Sequence, residues 1–421
     1  MDHSEKLPWG RAHVERCLAR IEAGERELKA FEAHDTALVR AELDVLDSRT
    51  GSLPLAGLAL GVKDIIDATP YATGRGSPIH KSRMPTFDAA AVAQLRAAGA
   101  VVMGKTVTTE FAFFSPGPTG NPHDLAHTPG GSSSGSAAAV AAGFIDAGLG
   151  SQTAASITRP ASFCGVVGFK PSYGSYSLAG VGGLSPSFDT LGALTRNVGT
   201  LAAVHAVLAN AGRAQPVTAA VAPRRIGICR TPWWGRAEKG TVDALAGAQR
   251  ALGSDVETVD IDLQAFEQAA DLHGAIMAFE AAQTLAGERA TMPGKFSPVL
   301  LKLLETGADI SRAQHVGNLH RAAEMRRRFE EVADACDLIL APAAVGEAPP
   351  GLAATGDPIF SRLWTLLLLP TITLPGFVGP SGLPVGVQLI ARLHDDERLL
   401  AHALWAERLL PARPEPRVLR P

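Results

Sequence analysis

Two serine-rich segments carry the clearest chemistry in the chain: Pro129-Gly130-Gly131-Ser132-Ser133-Ser134-Gly135-Ser136 and Thr153-Ala154-Ala155-Ser156-Ile157-Thr158-Arg159-Pro160. Short Gly/Ala/Ser turns of this kind can fold back on one another and bring two hydroxyls side by side. A hydroxyl is a weak nucleophile until a base takes its proton. Lys63, which follows the apolar run from Leu53 to Val62, is the candidate base. A strand ending in a site would desolvate this lysine, disfavour its charged form and leave a neutral amine able to accept a proton.

Other patterns compete for the same residues. Gly131-Ser132-Ser133-Ser134-Gly135 also fits G-x-S-x-G, the nucleophile elbow of α/β-hydrolases; Ser133 would then attack, with a histidine as base in an esterase-like site. His205, His273, His315, His320, His394 and His402 are the candidates, and none sits in a recognisable context. His123 and His127 have the spacing of helical zinc ligands, but the glutamate of HExxH is missing and the turn Pro129-Gly130-Gly131 follows, so two ordinary loop histidines are expected. No lysine ends a glycine-rich turn in the manner of a phosphate-binding loop. Arg326-Arg327-Arg328 is flanked by Glu324, Glu330 and Glu331, the pattern of a solvated helix face. Phe111, Phe113, Phe114, Trp233 and Trp234 are candidates for an acyl pocket as well as for core packing, and Ser133 for support of the serine cluster.

The elements that must position these residues alternate along the chain. Trp9 to Leu46 mixes charged and apolar positions at helical spacing and predicts one or two amphipathic helices. Helices are expected over Asp88 to Ala98, Ser134 to Ala142, Asn197 to Ala211 and Val242 to Leu252. Strands are expected at Val101 to Met103, Arg225 to Cys229, Val256 to Ile261 and Asp337 to Pro342, with a mainly helical stretch over 263–336. This alternation argues for an α/β layer architecture around a large, mostly buried sheet.

With 421 residues, 46% of them hydrophobic, the chain can bury a large core. A net charge of −3 leaves no basic excess for a nucleic-acid partner. Cys17, Cys164, Cys229 and Cys336 lie far apart, without metal-type spacing, which fits a reducing cytoplasm. Met1 to Arg16 is charged and lacks the apolar centre of a secretory signal. Leu363 to Val378 is the most apolar stretch, but Pro370 and Pro375 interrupt it and it is short for a membrane span, so it reads as a buried strand.

The sequence resembles the amidase signature family of serine hydrolases. The resemblance runs through Gly61-Val62-Lys63-Asp64, Thr128 to Gly143, Ser156, Phe163 to Pro171, Leu184 to Gly192 and Gly382 to Leu389. It implies an α/β fold with one large mixed β-sheet flanked by helices on both faces. A single domain would span 1–421, with N-terminal helices over 1–50 and a cap-like helical segment over 263–336.

Carried over by position, the family's Ser-Ser-Lys arrangement makes Ser156 the nucleophile, Ser132 the bridging serine after a cis peptide bond, and Lys63 the base. The same resemblance assigns an oxyanion hole to the backbone N–H groups of Thr153, Ala154, Ala155 and Ser156. Here Ala154-Ala155 stands where the family more often has Gly-Gly, and a left-handed backbone at either alanine would cost ~1 to 2 kcal/mol. Gln152 stands where an acidic residue is common. Arg159, three residues after the nucleophile, is similar to the arginine that meets a substrate carboxylate in malonamidase-like members; a guanidinium suits that role. The expectation is an amide hydrolase for a small carboxamide, a small acidic amide being one candidate, working without cofactor or metal, with Arg159, Ser133, Phe113 and Trp234 touching substrate. The N-terminal helices and the exposed parts of the 263–336 segment are candidates for a homodimer interface. The alternative is an inactive protein kept for binding or assembly, motivated by Ala154-Ala155.

Overall fold

The computed structural model describes residues 9–49, 51–210, 215–254 and 256–416. The N-terminal stretch forms two helices, α1 (Arg11–Leu28) and α2 (Thr36–Asp47), with a short strand β1 (Phe31–Ala33) between them. Asp35 caps α2, its carboxylate accepting from the Ala37 and Leu38 N–H groups. The strands that follow are β2 (Ala59–Lys63), β3 (Val101–Thr106), β4 (Ala147–Gln152), β5 (Val167–Lys170), β6 (Thr190–Thr195), β7 (Arg225–Cys229), β8 (Glu257–Ile261), β9 (Leu338–Pro342), β10 (Thr371–Val378) and β11 (Pro384–Ile390). They form one sheet in the order β1-β3-β2-β4-β6-β5-β10-β11-β9-β7-β8. Pairing is mixed: β2 runs parallel to both β3 and β4, whereas β4, β6, β5, β10, β11 and β9 pair antiparallel in succession.

Side-chain alternation assigns each face of the sheet its own layer. Leu60, Val62, Val102, Leu149, Phe169 and Ala193 join a core with α3 (Ala90–Ala97), α6 (Val198–Asn210), α7 (Lys239–Leu252) and α13 (Asp396–Leu409). Their neighbours Ala59, Val101, Met103 and Leu194 face α1, α2, α4 (Ser134–Ala141) and α5 (Thr158–Cys164). A third cluster gathers α8 (Ala269–Thr284), α10 (Pro298–Ala308), α11 (Arg312–Ala333) and α12 (Ile359–Leu366) around Phe111, Phe113, Leu184 and Phe188; it covers the end of the sheet where the serine segments lie.

Helix α4 is buried at every residue, which its run of Ser, Gly and Ala permits. A Cβ on Gly135 would lie 2.2 Å from Ala30 O and 2.3 Å from Val107 N, so only glycine allows the helix to start there.

One sequence expectation needs correction. Leu363 to Val378 is not one buried strand: Leu363–Leu366 ends α12, Leu368 turns the chain at φ 66, and the strand begins at Thr371. The apolar positions of α12, Ile359, Phe360, Leu363, Trp364 and Leu366, do follow a helical period, but the apolar run that begins at Leu363 starts midway along the helix and hides it. Within β10, Pro375 coincides with a register shift between Leu374 and Phe377, the place where a strand tolerates proline. Ala211, expected to end a helix, lies outside the described residues.

Candidate active site

Lys63 is the last residue of β2, and Ser151 stands near the end of the parallel neighbour β4. Open sheets bind ligands beyond the carboxyl ends of parallel strands. Lys63 Nζ lies 2.7 Å from Ser132 Oγ, 2.9 Å from Ser151 Oγ and 3.4 Å from Ser151 O. The side chain is 0% exposed, and burial pushes its pKa down to about 7, against the opposing pull of the Asp189 carboxylate. Asp189 accepts hydrogen bonds from Thr153 Oγ1 and from the Leu184 and Ser185 N–H groups, while burial raises its pKa to about 6.

The two serine segments meet directly. Ser133 N–H donates to Ser156 O at 3.2 Å, and Thr109 N–H donates to Ser132 O at 3.3 Å. The Gly131–Ser132 peptide is cis. Gly130, at φ 81, lets the turn approach Pro160, whose Cα would lie 2.9 Å from a Cβ at this position. Ser132 and Ser156 both line a cleft of about 320 Å³ with Thr109, Ala112, Phe113, Phe114, Arg159 and Thr355 among its other walls.

Residues 153–156 also line this cleft. Neither Ala154 nor Ala155 takes a positive φ, so the backbone cost expected for alanine here does not arise. Gln152 folds back over the loop: its Oε1 accepts from Ile157 N–H at 2.9 Å and Thr158 N–H at 3.1 Å. These N–H groups open helix α5, so the neutral amide does the work of a cap.

Arg159 is buried. Nη1 donates to Gly356 O at 2.7 Å, and Nη2 donates to Gly131 O at 2.7 Å and Thr355 Oγ1 at 3.0 Å. Nε has no protein partner, and no carboxylate pairs with the guanidinium among the described residues. Burial pulls its pKa down to about 9, and the group sits 5.6 Å from the Phe114 ring centre. Phe113 packs edge-on against Phe114 in the cleft wall. That wall is fixed by two consecutive left-handed residues, Phe111 at φ 46 and Ala112 at φ 60, each costing ~1–3 kcal/mol. Buried Glu110 anchors the turn by accepting from Ser77 Oγ and Ser297 N–H.

Other expected residues lie elsewhere. Trp234 is half-buried in a short helical turn against the main core and is not among the cleft-lining residues. Ser133 Oγ donates to Ser151 O at 3.3 Å and accepts from Ser151 N–H at 3.4 Å, facing strand β4. None of the six histidines considered as its base makes a hydrogen bond to it: His205 meets Tyr176, His402 meets Val221 O, His273 meets Thr153 O and His315 stacks on Phe279. His123 Nε2 lies 3.0 Å from Cys164 O, and His127 lies beside Asp124. Among the described residues, no group of three or more His, Cys, Asp or Glu side chains is placed to hold a metal ion. No described helix is long and apolar enough to cross a membrane.

A larger groove, about 1070 Å³ of open space, lies between α2, α3 and β3. Its walls include Leu38, Val45, Leu46 and Pro70, and of its charged residues Glu42, Arg49 and Arg96, Glu42 and Arg96 pair with each other. It contains no serine, whereas Ser132 and Ser156 line the smaller cleft.

The chain is similar to several known proteins. A glutamyl-tRNA(Gln) amidotransferase subunit from Anaeromyxobacter sp. (strain K) is 35% identical, over 96% of this chain and 94% of that one. A peptide amidase structure from Stenotrophomonas maltophilia superposes with TM-score 0.81 at 27% identity, covering 96% and 94% of the two chains. A chain described as part of a vestigial protein complex that reveals the origins of an s-triazine catabolic enzyme superposes with TM-score 0.87 at 29% identity, covering 95% of each. The Amidase family profile matches residues 12–400, and with the mixed sheet and these relatives beside it, the chain belongs to the amidase family of enzymes that act on C–N amide bonds.

Proposed function

We propose that this enzyme hydrolyses a small carboxamide through a Ser156 acyl-enzyme, with Ser132 and Lys63 as proton relay. The observation that carries the reading is the 2.7 Å contact between a fully buried Lys63 Nζ and Ser132 Oγ, in the cleft that Ser156 also lines. With its pKa near 7, a large share of Lys63 is neutral at physiological pH and can act as a base.

In acylation, Ser156 Oγ forms a bond to the amide carbon, its proton passes to Ser132 Oγ, and the Ser132 proton passes to Lys63 Nζ. The carbonyl oxygen becomes an oxyanion held by backbone N–H groups of 153–156. Collapse of the tetrahedral species breaks the C–N bond, and the relay runs backwards to protonate the departing amine or ammonia. Water then repeats the sequence, releasing the carboxylic acid and restoring Ser156.

The acyl group would carry a carboxylate. Arg159 is a buried cation on the cleft wall with no carboxylate in ion-pair contact among the described residues; Asp357, paired with Arg236, favours its charge only from farther away, and a buried charge so weakly compensated is costly. An anionic substrate group would compensate it. A steady-state screen of neutral and acidic carboxamides, read by ammonia release, tests both levels: turnover of neither class opposes the hydrolase reading, and turnover of neutral amides alone opposes the acidic one.

The names of the relatives favour a second reading of assembly. The amidotransferase relative is a subunit by name, and its likeness covers 96% of this chain. A homodimer of this chain therefore competes with assembly with other proteins, and light scattering of the purified enzyme, alone and with co-purifying chains, separates the two.

A further inference from the structure

We infer that His273 and Thr365 are positioning residues that turn two consecutive peptide groups of the 153–156 loop, aiming the Ala154 and Ala155 N–H groups at the reacting carbonyl. The inference rests on the hydrolase reading above and adds to it two residues outside the serine and lysine segments.

The geometry begins with two carbonyls. Thr153 O accepts from His273 Nε2 at 2.8 Å, and Ala154 O accepts from Thr365 Oγ1 at 2.9 Å. Both following peptide bonds are trans. In a planar trans peptide the C=O and N–H vectors point in opposite directions. Holding Thr153 O toward His273 therefore turns the Ala154 N–H away from it, and holding Ala154 O toward Thr365 does the same for the Ala155 N–H. Both alanines line the cleft beside Ser132 and Ser156, and neither N–H donates to an acceptor among the described residues. His273 and Thr365 do not line it. The carbonyls are thus held from behind and the donors left to the cleft.

Each holding group can act in one sense only. His273 is fully buried and stacks on Phe188 with ring centres 4.5 Å apart and planes 17° from parallel. Burial keeps its imidazole neutral, with a pKa near 3, and the bond to Thr153 O requires the single ring proton on Nε2. Thr365 has one hydroxyl proton. Its oxygen accepts from Gln152 Nε2 at 3.3 Å, so that proton is left for Ala154 O. The Gln152 amide has no freedom to reverse this, because its Oε1 already accepts from the Ile157 and Thr158 N–H groups. Gln152, Thr365 and Ala154 therefore form a directed chain of hydrogen bonds.

His273 belongs to α8 and Thr365 to α12, two helices packed against each other in the layer over the cleft. Without these donors either peptide could rotate and present its carbonyl to the cleft. That would replace a hydrogen-bond donor with an acceptor where negative charge develops. Loss of one oxyanion donor costs about a hundredfold to a thousandfold in rate. A donor that is present but incorrectly held should cost less, about tenfold to a hundredfold.

The test uses the full chain and the best carboxamide found in the substrate screen. His273→Phe keeps the stacked ring and removes the donor; His273→Gln returns an N–H at a similar reach. Thr365→Val removes the hydroxyl at constant shape, and Thr365→Ser returns it. Expected are a kcat loss of about tenfold to a hundredfold in His273→Phe and Thr365→Val with KM changed less than about threefold, and recovery in the Gln and Ser variants. Affinity for a trifluoromethyl ketone, which forms a tetrahedral oxyanion on the nucleophile, should fall in step with kcat. Should His273→Phe fail to fold, the Thr365 pair and the ketone decide alone. Full kcat in folded variants, or a loss unrepaired by Gln and Ser with ketone affinity unchanged, overturns the inference. A wild type that neither turns over amides nor binds the ketone overturns the hydrolase reading as well, which separates the two failures.

Discussion

Lys63 Nζ sits 2.7 Å from Ser132 Oγ with hydroxyl and carbonyl oxygens as its partners, whereas Lys105 Nζ, on the adjacent strand, sits 2.9 Å from the Asp64 carboxylate. Both lysines are fully buried, and burial lowers the pKa of each. The difference in partner separates their roles. A carboxylate neighbour holds a lysine charged; two serines and a carbonyl leave it free to lose its proton. In the proposed mechanism Lys63 is the base, whereas Lys105 is one half of a buried ion pair.

The pH dependence follows from that environment. A base must be neutral to act, so kcat/KM should rise with pH through an apparent pKa near 7 and fall away on the acid side as Lys63 takes a proton. The Asp189 charge favours the ammonium form. Replacing it in Asp189→Asn should therefore lower the lysine pKa and move the acid limb to lower pH. An initial-rate profile from about pH 5 to 9 of both proteins checks the direction; an acid limb that stays put or moves upward opposes it.

Truncating the relay should affect chemistry more than binding. Lys63→Ala and Ser132→Ala are each expected to lower kcat by about a hundredfold to ten-thousandfold, the range of a lost acid–base catalyst. Single-turnover measurements should show the loss in the acylation step, with substrate affinity nearly unchanged.

Arg159 should discriminate between substrates. Arg159→Met removes the buried cation and leaves Gly131 O and Gly356 O without their donors, so a stability loss of about 1–3 kcal/mol is expected in thermal melting. Beyond that common effect, kcat/KM for acidic carboxamides should fall at least about tenfold further than for neutral ones, the loss of a charge-assisted contact. Equal losses for both classes would remove the carboxylate role.

The Lys105–Asp64 pair offers a test of stability separate from catalysis. Lys105→Met leaves the Asp64 charge uncompensated next to Lys63 and should destabilise the fold by about 3–5 kcal/mol in denaturant titration. Adding Asp64→Asn removes the stranded charge and should recover part of that loss.

Much of this arrangement was legible in sequence because local features wrote it there. The run before Lys63 predicts a strand ending in a site, the small-residue stretch after Ser133 predicts a tightly packed helix, and the amphipathic N-terminus gives α1 and α2. The Gly-containing strands β4, β5 and β6 were not anticipated as strands, since they are buried on both faces and carry no polar alternation. The helix α12 was missed because the apolar run that drew attention begins at Leu363, midway along it. Nor could spacing reveal that Asp189, His273 and Thr365 converge on residues 153–154, because they arrive from three elements far apart in the chain. Buried polar residues such as Thr365 within an apolar run were the one available signal. Trp234 drew attention by residue type alone, and packing accounts for it.

The most direct measurement is the mass of the peptide carrying residues 153–159 after the folded protein reacts with a small serine-reactive fluorophosphonate. The account predicts a single phosphonyl adduct on Ser156, formed fastest above about pH 7 and strongly slowed in Lys63→Ala. An adduct on Ser133 instead, or none at Ser156 in protein that is folded by circular dichroism, would contradict it.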